Sequence, residues 1–278
     1  MFLYCKVHGE MKPAGTAGWF AYPLPGFEGR QTGPGLLMTA QHVIAGIRMA
    51  STDDGKVHIR VNTVERGTKF IKSELGDWYQ PDRAIDVSIL TAASDLLVSD
   101  NSLEFGAWFL GQNVARAETI LTEGIGIGDE AFIVGLFHRH AGRDRNEPIV
   151  RVGNIASMPN APVPLGGGRE AHAILIEARS IGGLSGSPVF VHMGYSRWSE
   201  GAVMQSGTPT PFLFLGVIHG HWNAAADEVD AASGVNENEP LNTGIAVVVP
   251  AEVIMSRVLD PLMAEVAEIR RRTTPSDG

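Results

Sequence analysis

Three short segments carry side chains of the kinds that activate a nucleophile: Leu37-Met-Thr-Ala-Gln-His42-Val-Ile, Ala84-Ile-Asp86-Val-Ser-Ile-Leu and Gly182-Gly-Leu-Ser185-Gly-Ser-Pro. A serine hydroxyl is a weak nucleophile at neutral pH and needs an adjacent base. An imidazole supplies that base, and a carboxylate holds its tautomer and stabilises the imidazolium. Read singly, each segment has a structural explanation: a core histidine, a turn-capping aspartate, a glycine-rich loop. Together they supply all three residue types, each at a strand end or tight turn, in the order His42, Asp86, Ser185.

The elements that must position them read as short strands. Apolar or alternating runs occur at Gly18–Tyr22, Leu36–Ala40, Val57–Val61 and Val87–Leu90. They recur at Ala131–Phe137, Ile149–Ile155, Ala173–Glu177, Val189–His192, Phe212–His219 and Gly244–Val249. Most are bounded by Gly, Pro, Asn or Asp. Gly accounts for 33 of 278 residues without a collagen-like period, which means many turns. Residues 91–128 are less regular and could connect two halves. Helix is expected only at the end, from Pro250, with a kink or second start at Asp260-Pro261. Many strands followed by one terminal helix is an all-β pattern.

Thr39-Ala-Gln-His42, Asp86-Val-Ser-Ile-Leu and Gly183-Leu-Ser185-Gly-Ser-Pro188 resemble the three motifs of the trypsin-like (chymotrypsin-fold) serine proteases, in order and at compatible spacing. The resemblance runs from Gly15-Thr-Ala-Gly18 to Asn242-Thr-Gly-Ile-Ala-Val-Val-Val-Pro250. Val43 follows the histidine where digestive members carry Cys, and Leu184 precedes the serine where they carry Asp; the bacterial HtrA-like and glutamyl-endopeptidase-like branches share both departures. The resemblance implies two six-stranded antiparallel β-barrels with the site between them: residues 1–120 carrying His42 and Asp86, residues 121–250 carrying Ser185, and a helical segment with a frayed tail at 251–278. It implies Ser185 as nucleophile, His42 as general base, Asp86 as its orienter, and the N–H groups of Gly183 and Ser185 as the oxyanion hole. Ser187, two residues late for the motif, is read as structural. The resemblance also makes Arg179, six residues before Ser185, and His219 and His221, on what would be a pocket-wall strand, candidate substrate-binding residues with a preference for acidic side chains; a small apolar pocket is the alternative. The segment Asn223–Asn242, with Asp227, Glu228, Asp230, Glu237 and Glu239, would overhang that pocket as a control element.

Composition narrows the alternatives. The net charge is −9 with no basic block, which argues against nucleic-acid or anionic-membrane partners. Cys5 is the single cysteine, so neither an intrachain disulfide nor a multi-cysteine metal site can form. His138-x-His140 and His219-x-His221 each pair two imidazoles on a strand face, but a zinc site needs further ligands and none is evident nearby. No metal or cofactor is therefore expected. Without a secretory leader or an apolar span, the expected location is the cytoplasm of a bacterium. The expected partners are a protein or peptide substrate and a regulatory protein. A non-catalytic binding or sensing module on the same fold is the alternative, since fold does not fix function.

Overall fold

The computed structural model describes all residues except 25–33, 81, 83, 92–96, 98, 138–139, 167–168, 179–182, 195, 200–201, 206–210, 225–240 and 274–278. Period-2 alternation organises its second half. Strands Glu130–Gly135, Ile149–Ser157, Ile174–Glu177, Leu241–Pro250, Phe212–Ala224 and Pro188–His192 pair antiparallel, in that spatial order, into a closed six-stranded barrel. Alternate side chains fill it: Ala131 and Ile133, Ile174 and Ile176, Val189 and Val191, Leu213 and Leu215, Ala246 and Val248. That pattern follows from successive side chains of a strand pointing to opposite faces.

The first half consists of two five-stranded sheets. One runs Glu10–Thr16, Phe2–Val7, Lys56–Thr63, Thr68–Glu74, with Leu103–Glu104 also on Lys56–Thr63. The other runs Trp108–Phe109, Gly18–Ala21, Gly35–Thr39, Ser88–Leu90, Trp78–Tyr79. Leu3, Val57 and Ile59 of the first pack with Trp19, Leu37 and Leu90 of the second. Ring closure is seen in the second half; among the described residues the first half shows sheets.

Several elements depart from the expectations, among them a short helix, Ala117–Thr122, inside the stretch read as irregular. Phe2–Val7 and Glu10–Thr16 form a strand pair ahead of the first expected strand. A helix, Gln41–Ala50, stands where only a strand end was read. It forms because Val43, Ile44 and Ile47 bury one face, while Gly46 and the exposed Met49 blur the periodicity. At the C-terminus the chain stays helical from Ala251 to Thr273 and does not restart at Asp260. Pro261 has no N–H to donate, and the turn before it widens to a π stretch, Met255–Leu259, closed by Asp260 N–H donating to Met255 O. Asp260 is thus not an N-cap; its carboxylate accepts both Arg116 guanidinium nitrogens at 2.9 and 3.0 Å and the Tyr22 hydroxyl at 2.7 Å.

A third core joins the halves. Phe20, Leu36, Met38 and Ile89 interleave with Phe214, Val217 and Val249, and Ile254, Met255 and Val258 of the terminal helical segment close it. Among the described residues, no helix is long and apolar enough to cross a membrane.

Candidate active site

Adjacent strands bring His42 and Asp86 to one end of a sheet. Gly35–Thr39 leads into the helix that begins at Gln41, and it pairs with Ser88–Leu90, which Asp86 precedes. In the first turn of that helix the backbone N–H groups have no intrahelical partner. The carboxylate uses this: Asp86 Oδ1 accepts His42 N–H at 2.9 Å, and Oδ2 lies 2.7 Å from His42 Nδ1. Ring and backbone are held by one carboxylate.

A second imidazole reaches the same oxygen. His219, on the Phe212–Ala224 strand of the barrel, places Nδ1 2.5 Å from Asp86 Oδ2, and its ring stands edge-on to His42 with centroids 5.5 Å apart. Burial pushes the Asp86 pKa up, but hydrogen bonds from His219 and then His42, with charge attraction to both, hold it well below the ordinary carboxylate range. An ionised carboxylate only accepts, so both Nδ1 atoms carry the proton and His42 Nε2 is left as the acceptor.

The Ser185 loop docks against the same corner. Gly186 has φ +79°, and a Cβ there would lie 2.1 Å from Thr39 Oγ1 and 3.0 Å from Ala40 N, two residues before His42. The loop is tied down across the halves: Thr16 N–H donates to Ser185 O at 3.0 Å, and Thr16 Oγ1 donates to Gly183 O at 3.2 Å. Thr16 Oγ1 accepts Leu136 N–H at 2.9 Å, and Thr39 Oγ1 donates to Thr16 O at 2.6 Å. Thr16 is therefore a junction of strand, loop and barrel, and nothing in its local sequence marks it as such beyond its place in Gly15-Thr-Ala-Gly18.

Gly183 takes φ +106°, open to glycine, and with its carbonyl turned to Thr16 no described residue accepts from the N–H of Gly183 or Ser185. Ser185 is half-buried, and its Oγ makes no hydrogen bond to His42 among the described residues. Such contacts often tighten only when substrate arrives. Ser187 is fully buried, with Oγ unpaired beside Gly135, so a substrate cannot reach it.

Of the candidate substrate-binding residues, Arg179 lies outside the described residues, as does the His221 side chain; the His221 backbone pairs with Ala246. His219 is found on Asp86, a contact across 133 residues that alternation in a strand cannot reveal. The Asn223–Asn242 segment has paired ends, while residues 225–240 lie outside the described residues. His140 pairs with Glu147 at 2.7 Å; His138 lies outside the described residues. Among the described residues, the one cluster able to offer three ligand atoms to a metal is His42, Asp86 and His219.

No family model and no curated protein matches the sequence. Solved structures do. The MamO protease domain from Magnetospirillum magneticum is 14% identical, covers 88% of this chain and 95% of its own, and superposes with a TM-score of 0.44. The active form of the Rv3671c protease from M. tuberculosis is 13% identical over 92% of this chain and 78% of that one, with a TM-score of 0.47. The HtrA-type protease AlgW with decapeptide is 14% identical over 96% and 63%, with a TM-score of 0.44. The chain is similar to structures of trypsin-like and HtrA-type proteases, the group its three motifs resemble.

Proposed function

We propose that the chain is a serine endopeptidase that cleaves protein or peptide substrates through an acyl-enzyme on Ser185. The supporting observation is the grip of Asp86 on His42, through both ring and backbone, at the corner where the Ser185 loop docks. His42 Nε2 takes the Ser185 proton as Oγ attacks the scissile carbonyl, and returns it to the departing amine. The N–H groups of Gly183 and Ser185 stabilise the oxyanion; one such donor is worth roughly 2.7–4 kcal/mol. Water then hydrolyses the ester with His42 again as base. On this reading the two N-terminal sheets serve as the partner barrel, and the acidic Asn223–Asn242 segment controls access. Reaction with a fluorophosphonate probe, lost in Ser185→Ala, is the expected outcome. A wild-type protein that takes up no probe, alone or with cell extract, would refute the assignment in favour of a non-catalytic binding module.

A further inference from the structure

Hydroxyl activation needs one imidazole on the carboxylate, and here there are two. His219 donates to the same Asp86 oxygen as His42 yet has no step in acyl transfer. The three groups come from separate elements: a helix N-terminus, the segment before a strand, and a barrel strand. One ligand atom from each lies within 4.8 Å of the others. Two neutral imidazole nitrogens and one carboxylate oxygen form a donor set suited to Zn2+, with a fourth position left for water.

We infer that His42, Asp86 and His219 form a divalent-cation site that switches the candidate catalytic centre off; the inhibitory consequence rests on the peptidase reading, the binding does not. The ligand atoms now stand 2.7 and 2.5 Å apart across shared protons. Around a tetrahedral zinc at about 2.0–2.1 Å they would stand about 3.3 Å apart. That asks the two Nδ1–Oδ2 spacings to open by about 0.6 and 0.8 Å. Entry is open, since the His42 side chain is 43% exposed and those of Asp86 and His219 are 16% and 17% exposed.

The proton balance explains the effect. Metal on Nδ1 of each ring moves that ring's proton to Nε2, with no net release from the neutral imidazoles. His42 Nε2 then carries a hydrogen and cannot accept the Ser185 proton. The cation adds positive charge but no redox step.

Binding is read on the Ser185→Ala protein, by calorimetry with Zn2+ and by the visible absorption of Co2+, which is intense when four-coordinate. One ion per chain is expected, with the Co2+ bands lost in Asp86→Asn and His219→Asn. In the latter the amide N–H can still bond Asp86, which preserves the fold, while the amide is a poor metal ligand. Affinity should fall by more than the about 10–100-fold that loss of an outer-shell partner costs. His192→Ala, which alters a histidine paired with Glu130 away from the site, should bind as before. In parallel, micromolar free Zn2+ should suppress wild-type peptide hydrolysis, and EDTA should restore it. Absence of a one-to-one site, or a site that survives His219→Asn, overturns the inference. Hydrolysis that ignores bound zinc overturns the switch. Metal binding without any probe reaction on Ser185 would instead remove the peptidase reading and leave the site standing.

Discussion

Asp86 accepts His42 N–H, His42 Nδ1–H and His219 Nδ1–H at once, so one carboxylate holds two imidazoles from separate halves of the chain. Asp86→Asn keeps the shape but removes the charge and unsettles the His42 tautomer. On the peptidase reading turnover should fall about 10⁴-fold, as loss of the carboxylate does in a Ser-His-Asp triad; a loss under tenfold in peptide hydrolysis would contradict the role assigned to Asp86. Stability carries a second signature. The folded Asp86 pKa lies below its unfolded value of about 3.9. Its stabilisation is therefore fully present above that unfolded value and is lost as pH falls through the folded one. Urea unfolding should show a wild-type advantage over Asp86→Asn at neutral pH that shrinks on acidification below about pH 4. At this scale the sequence was informative where chemistry limits residue type. His42 and Asp86 stand out by kind and order, and they meet. His219 was visible as a histidine on a strand, but its partner belongs to the other half of the chain.

Gly186 and Thr16 set how the Ser185 loop meets the first half. Gly186→Ala adds a Cβ in a left-handed conformation, against Thr39 Oγ1 and Thr16 O. The strain alone costs about 1–3 kcal/mol. The unfolding temperature should drop by at least about 2 °C, with loss of probe labelling at Ser185. Thr16→Val leaves Leu136 N–H and Gly183 O without their buried partner. Unsatisfied buried groups cost about 1–3 kcal/mol each, and calorimetry of the variant checks this. Strands were legible because alternation survives in single segments such as Val57–Val61. The Gln41–Ala50 helix was not, because three buried positions in ten residues, with Gly46 among them, make a weak helical signal. Nor was the fate of Asp260, whose Pro neighbour suggests a cap until Arg116, 144 residues away, takes the carboxylate.

Across the whole molecule, the core around Phe214 decides whether the halves behave as one. Phe214 is fully buried, and its ring lies 4.8 Å from Phe20 and 6.1 Å from Phe190. Phe214→Ala should cost about 3–5 kcal/mol. Tryptophan fluorescence and far-ultraviolet dichroism should still report one shared transition, at lower temperature. Two separated transitions would show that the halves unfold independently. The strands of the second half were readable as apolar runs between turn residues, and their closure into a barrel was expected from the family resemblance alone. The arrangement of the first half was not, since Phe2–Val7, Glu10–Thr16 and the two-residue strands carry little pattern of their own. The long-range ties have a consequence for the chain as it is made. Asp86 meets His219 across 133 residues, and Thr16 meets Gly183 across 167. A ribosome adding about 5–20 residues each second needs roughly 10–35 s to go from His42 to His219. From the moment Asp86 is made until His219 follows, the nascent chain holds His42 and Asp86 without the barrel strand that brings the second imidazole to that carboxylate.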